Sequence, residues 1–162
     1  MILTDEDIVD YKNEGTPLVD PFHIAQLTPN GYDLTIDEIQ IDDQVFKLSQ
    51  AYLNIVVRPL THFKIMSEET VLLPENVIAT LWLRSSYARR GIMATFGYVD
   101  AGYNGKIAIS LFNGSKTDLV FEREMKKRTI CQIVFEKLDK YPLKAYELRS
   151  GNYQNTKTLV KK

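Results

Sequence analysis

A mainly β domain (a sandwich, jelly roll or barrel) behind one short N-terminal helix is the fold class this sequence predicts. Two observations carry that expectation. Short runs rich in branched and aromatic residues follow one another closely, broken by glycine, proline, asparagine or acidic turns. Only the first dozen residues carry a clear helix signature.

The helix opens at Thr4, whose hydroxyl can cap the chain, and Asp5, Glu6 and Asp7 place acids at the positive helix end. Ile8, Val9 and Tyr11 supply its apolar residues, and Gly15-Thr16-Pro17 closes it. The β-type runs then cover residues 32–41, 51–58, 63–66, 70–73 and 77–84. Further runs cover 92–99, 106–112, 118–121 and 129–137. Residues 150–162 form a polar tail without apolar periodicity, ending in Lys161-Lys162. One domain over 1–149 and a flexible tail, free to order over a ligand or a neighbouring subunit, is the expected organisation.

Composition excludes several classes. At 162 residues the chain is long enough for a buried core, and its 44% hydrophobic and 25% charged content are ordinary for a globular protein. A formal net charge of -1 leaves no overall field to attract nucleic acid, so any anion site must be local. Cys131 is the sole cysteine and lies in an apolar run, which points to a buried thiol in a reducing compartment. No apolar run approaches a membrane span, and the opening residues do not read as a signal peptide. The expected location is the cytoplasm, with neither membrane nor nucleic acid as partner.

Four constellations could carry chemistry. In the segment from Tyr98 to Asn113, Asp100 stands at the mouth of a glycine-rich turn, Tyr103 follows three residues later, and an apolar strand comes next. Bare amides, a flat ring and a water-orienting carboxylate suit a nucleotide; a β-hairpin with a polar tip explains them equally. Arg84-Ser85-Ser86-Tyr87-Ala88-Arg89-Arg90-Gly91 offers guanidinium forks and hydroxyls to a polyphosphate, or is a solvated basic loop. Asp33 alternates with Tyr32 and Leu34 along a strand and needs either an arginine partner or a metal-bound water. Gln132, the polar residue of a late apolar strand, caps a stray core group or donates to phosphate. His23 and His62 are isolated, so zinc chemistry is not expected.

Taken in order, these segments resemble the motifs of the trimeric dUTPase and dCTP deaminase superfamily. Gly31-Tyr32-Asp33-Leu34 resembles the first motif and Arg84-Ser85-Ser86-Tyr87-Ala88 the second. Val99-Asp100-Ala101-Gly102-Tyr103-Asn104-Gly105 is similar to the third, and Cys131-Gln132-Ile133 to the fourth. The helical start and Tyr153-Gln154 are similar to the archaeal-type, deaminase-like branch. The resemblance implies a distorted β-barrel or jelly roll, the dUTPase-like β-clip, assembled as a homotrimer with sites between subunits.

Deaminases of this family carry a glutamate ten residues after the third-motif aspartate, where this chain has Ser110. A serine cannot act as general base near neutral pH. The resulting expectation is a dUTP diphosphatase that hydrolyses the deoxyuridine nucleotide to dUMP and pyrophosphate. The resemblance assigns Asp100 to orient the attacking water. It gives Arg84, Ser85, Ser86 and Gln132 of a neighbouring subunit to the phosphates and Tyr103 to the deoxyribose, with Tyr153 and Gln154 closing over the nucleotide. Arg89 aligns with an arginine that the deaminase branch uses near its chemistry, and in a hydrolase it would serve phosphate or structure instead. Mg²⁺ would ride on the triphosphate, touched through water by Asp33. A dCTP deaminase, mono- or bifunctional, or a silent nucleotide-binding trimer are the alternatives. Two segments depart from the dUTPase pattern: 150–155 replaces a glycine-rich, arginine-bearing fifth motif, and Met125-Lys126-Lys127-Arg128 lacks a proline-glycine turn.

Overall fold

A computed structural model of the protein describes residues 1–122, 128–144, 146–149 and 151–159. Met125, Lys126 and Lys127, Ser150 and the terminal Lys161-Lys162 lie outside the described residues. Helix α1 (Asp5–Asn13) begins as expected: Thr4 Oγ1 accepts from Asp7 N, and the Asp7 carboxylate accepts from Thr4 N at 2.8 Å. The Thr4 N–H and the Thr4 hydroxyl, which also donates to this carboxylate at 2.8 Å, hold the Asp7 carboxyl below its ordinary value.

The remainder is β-rich, with β1 (Val19–Asp20), β2 (Leu27–Thr28), β3 (Gly31–Ile41), β4 (Gln44–Lys47), β5 (Ile55–Val57) and β6 (His62–Leu72) in the first half. The second half holds β7 (Val77–Leu83), β8 (Ile92–Thr95), β9 (Tyr98–Val99), β10 (Asn104–Asn113), β11 (Leu119–Phe121) and β12 (Thr129–Lys137). Two one-turn α-helices, α2 (Ser85–Ala88) and α3 (Tyr146–Arg149), and two 3-10 turns, Ile24–Gln26 and Leu48–Gln50, complete the elements among the described residues. The main sheet runs β8-β10-β6-β3-β12-β7-β9, while β5 and β11 pair separately. It curls because β3 changes partner: its start lies against β12 and its end against β6.

Period-two alternation builds the core. Along β7 and β10 every second residue is buried, and Tyr32, Phe63, Phe121 and Phe135 are almost fully enclosed. Truncating one of these rings to alanine would cost about 3–5 kcal/mol. Cys131 is buried as expected, and burial pushes its thiol up to about 12.

Three strand boundaries differ from expectation. Residues 63–66 and 70–73 belong to one strand, because Ser67 and Glu69 are buried inside it rather than forming a turn. Ser67 Oγ accepts from Ile107 N (2.8 Å) and donates to the Glu69 carbonyl (2.7 Å), patching an irregular stretch of the ladder. The run 51–58 shrinks to β5, with Tyr52 and Leu53 exposed. The run 92–99 divides into β8 and β9, which pair with β10 and β7 respectively.

Candidate functional site

The sequence-predicted residues fall into two regions of the chain. The first is an open pocket of about 1200 Å³. The β8–β9 connection supplies Phe96 and Gly97, β10 supplies Lys106 to Ser110, and Asp100 and Tyr103 stand on the turn between β9 and β10. Gly102 takes φ +82° there, a conformation few side chains tolerate. Asp100 is exposed, and its carbonyl accepts from Tyr103 N (3.1 Å). Tyr103 is 7% exposed: its hydroxyl donates to the Lys106 carbonyl (2.7 Å), and its ring meets Tyr146 edge-on at 5.7 Å. Burial pushes the phenol up to about 12, so it stays a neutral donor. The ring is therefore a firmly held wall of the pocket.

Ser110 also lines the pocket, with Lys64 and Thr95 opposite it on the adjoining strands. Behind Lys106, Asp37 accepts an ion pair at 2.8 Å and is nearly buried. This pairing leaves Lys106 committed to the fold.

The tail docks beside this pocket. Gln154 bridges the turn, accepting from Asn104 N (2.9 Å) and donating to the Gly102 carbonyl (3.2 Å). Thr156 accepts from Lys106 N at 2.9 Å. A Cβ at Gly105 would come within 2.7 Å of Tyr103 Oη and 3.0 Å of Thr156 N, so the close approach needs glycine. Farther on, Glu38 accepts from Thr158 Oγ1 and from Leu159 N (2.8 Å). Tyr153 lines the pocket while remaining 70% exposed.

The second region lies on the outer face of β3, β12 and β7. Register places Trp82 opposite Gln132, and Gln132 opposite Asp33. Arg84 Nη1 reaches Asp33 Oδ2 at 3.2 Å and also bonds Thr129 Oγ1. Burial raises the Asp33 carboxyl's pKa, and the Arg84 charge pulls it back. Gln132 donates to Thr28 Oγ1 at 2.6 Å. Ser85, Ser86 and Arg89 are exposed on and beside α2. None of Asp33, Arg84, Ser85, Ser86, Arg89 and Gln132 lines the pocket. The sequence marked both halves, but one chain does not bring them together.

Sequence reasoning missed Trp82. Trp82 could have been found from alternation, since it shares a strand face with Arg84. Among the described residues no group of three or more His, Cys, Asp or Glu side chains could hold a metal. No helix among them is long and apolar enough to cross a membrane.

Comparison with known proteins identifies the relatives of this arrangement. The family model described as dCTP deaminase-like matches residues 2–138. The dCTP deaminase of Thermococcus gammatolerans is 33% identical over 152 residues, covering 93% of this chain and 92% of its own. A protein of Hydrogenobaculum sp. named dCTP deaminase, dUMP-forming, is 31% identical over 154 residues, covering 88% and 85%. The crystal structure of 2'-deoxycytidine 5'-triphosphate deaminase from Agrobacterium tumefaciens superposes with a TM-score of 0.69 at 18% identity over 84% of this chain. The chain spans about half of that structure, at 48%. A dUTPase from phage phi11 of S. aureus gives 0.53 at 18% identity, covering 77% and 87%.

These findings overturn the expectation of a dUTP diphosphatase. Relatives named dCTP deaminase match nearly the whole chain in sequence, whereas this dUTPase is similar at the level of fold. Ser110 was given too much weight. It bears on how protons move, and a serine between Lys64 and Thr95 does not require hydrolysis of a phosphate bond.

Proposed function

The chain belongs to the dCTP deaminase-like family, and on that premise we propose that it binds dCTP and replaces the C4 amino group of cytosine by oxygen. The observation that carries this reading is the near full-length match to the dCTP deaminase of Thermococcus gammatolerans. The pocket receives cytosine and deoxyribose, with Tyr103 and the β8–β9 connection as walls. Arg84, Ser85, Ser86 and Gln132 of a neighbouring copy hold the triphosphate, because on one chain they stand outside the pocket. A homotrimer supplies that neighbour. Tyr153 and Gln154 close the pocket from the tail.

Asp100 holds the attacking water against C4. Water adds to C4 while one of its protons passes through Asp100 to N3; the hydroxyl proton of the adduct then passes to the amino group, and the C4–N bond breaks as C4=O forms and ammonia leaves. Ser110 can relay a proton but cannot store one, so turnover is expected to be slow. Arg89 aligns with an arginine of the deaminase branch and is proposed to orient this end of the site. Asp33 fits a metal carried by the substrate, since one carboxylate already paired to Arg84 suits contact through water rather than a resident ion. Mg²⁺ on the triphosphate would neutralise phosphate charge there.

Ser110 favours one second reading, a trimer that binds the nucleotide without turnover. The discriminating experiment gives the protein dCTP with Mg²⁺ and follows ammonia and pyrophosphate together. Ammonia supports the deaminase, and pyrophosphate in addition makes it dUMP-forming. Binding without ammonia supports the silent trimer, and ammonia gained on Ser110→Glu would show that the rest of the machinery is intact.

A further inference from the structure

Glu69 is fully buried at 0% exposure, where an unbonded carboxylate would be costly. Its Oε2 accepts from Thr35 N at 2.9 Å. Thr35 stands where β3 passes from β12 to β6. The β12 ladder slips between Thr129 and Cys131, opposite Thr35 and Leu34, and the β6 ladder slips between Ile36 and Glu38. At this handover a side chain supplies the acceptor that Thr35 N requires.

Gln26 completes the arrangement. In the amide orientation that satisfies its neighbours, its nitrogen donates to Glu69 Oε1 (3.1 Å) and to the Asp33 carbonyl, while its oxygen accepts from Thr35 Oγ1 (2.6 Å). Gln26 and Thr35 are themselves buried. One carboxylate is thus tied to the backbone of β3 directly at Thr35 and, through Gln26, at Asp33.

We infer that Glu69 is a positioning residue for the triphosphate: by fixing β3 at the strand handover, it sets the angle from which Asp33 holds Arg84. This rests on the nucleotide reading above. Glu69 touches no substrate. Its work is to keep a charged pair in register on a sheet that would otherwise be free to slip at its weakest point.

Trp82, the sole tryptophan, is 59% exposed and shares the row with Gln132 and Asp33, so its fluorescence reports on this cluster. The test titrates dCTP with Mg²⁺, and separately deoxycytidine, against the wild type, Glu69→Gln and Glu69→Ala. The amide oxygen of Glu69→Gln can still accept from Thr35 N, and that variant should bind dCTP within about threefold of wild type. Glu69→Ala should lose about tenfold or more for dCTP and nothing for deoxycytidine. Equal dCTP affinity in the alanine variant, or equal loss of both ligands, overturns the inference.

Should Glu69→Ala fail to fold by circular dichroism, Gln26→Ala cuts the Asp33 branch alone and must show the same selective loss. Absence of any binding by the wild type would sink the nucleotide reading instead. The positioning role is then decided by the Arg84 guanidinium resonance in nitrogen NMR. A changed resonance in Glu69→Ala supports it, and an unchanged one overturns it.

Discussion

The two halves of the candidate site are held in different ways. Asp33, Arg84 and Gln132 sit on or against three neighbouring strands, and their contacts run between side chains: Asp33 to Arg84, Arg84 to Thr129, Gln132 to Thr28. The pocket half is built from a turn, a β8–β9 connection and a docked tail, and much of its bonding uses backbone groups, as at Asn104, Lys106 and Gly102. A triphosphate needs fixed charges at fixed separations, which a sheet interior provides. A base and sugar must be admitted and released, which suits a wall made partly of tail. On the proposed reading, the difference teaches that one binding event would be divided between a rigid surface and an adjustable one.

The strongest way to break this comparison is Arg84→Ala. It removes the phosphate fork and strands Asp33, whose side chain is only 15% exposed. A loss of about 3 kcal/mol, roughly a hundredfold in dCTP affinity, is expected, with deoxycytidine binding unchanged. Calorimetry with both ligands checks it, and an equal loss for both would erase the division of labour.

A comparable effect is predicted for pH beneath the rigid half. Burial, the largest cause, pushes Glu69 up to about 7; Glu68 adds to the rise, while bonds from Thr35 oppose it. A raised carboxyl means the folded state holds the proton more tightly than the unfolded chain. The stability associated with it is therefore complete below about pH 4.5 and is lost as pH climbs towards 7, on the order of 3 kcal/mol in all. Urea midpoints at pH 5 and pH 7.5 should differ more in the wild type than in Glu69→Gln. Parallel shifts in the two proteins would show that Glu69 does not titrate this way.

Gly105→Ala sharpens the comparison from the other side. The new methyl meets Tyr103 Oη and Thr156 N, so the tail must lift at a cost of about 1–2 kcal/mol. Hydrogen exchange should accelerate at Lys106 N, which Thr156 protects, and deoxycytidine binding should weaken while the Arg84 resonance stays put. Unchanged exchange at Lys106 would mean the tail does not close this pocket. The smallest effect belongs to Thr4→Ala, far from both halves: about 1 kcal/mol of stability, read as a lower Tm, with ligand affinities unaltered.

Much of this was legible in the sequence because it depends on local rules. The Thr4 cap, the β12 run and the alternation that sets Asp33 on the face opposite Tyr32 and Leu34 follow from short-range patterns, although that acid was expected on the inward side and the buried face is that of Tyr32 and Leu34. Ser67-Glu68-Glu69 read as a turn because buried acids in mid-strand contradict propensity; the acceptors they supply to Ile107 and Thr35 come from tertiary pairing. The site residues were marked, but their separation into two regions was implied only by the family resemblance, since motif order along a chain carries no information about which copy completes a pocket. The choice of reaction was misjudged for a related reason: one residue, Ser110, was set against similarity spread over the whole chain.

Complementation between two defective variants tests the central claim most directly. Asp100→Asn disables the pocket half and Arg84→Ala the phosphate half. Asp100→Asn should release no measurable ammonia from dCTP, and Arg84→Ala none at dCTP concentrations well below its weakened affinity, where the assay is run. Refolded together, they should form mixed trimers in which about a quarter of the sites, by random assortment, pair an intact pocket with an intact arginine face. Ammonia release recovered in the mixture would establish a deaminating site shared between copies. A mixture as inactive as its parents, beside an active wild type, would place the whole reaction on one chain and contradict the account.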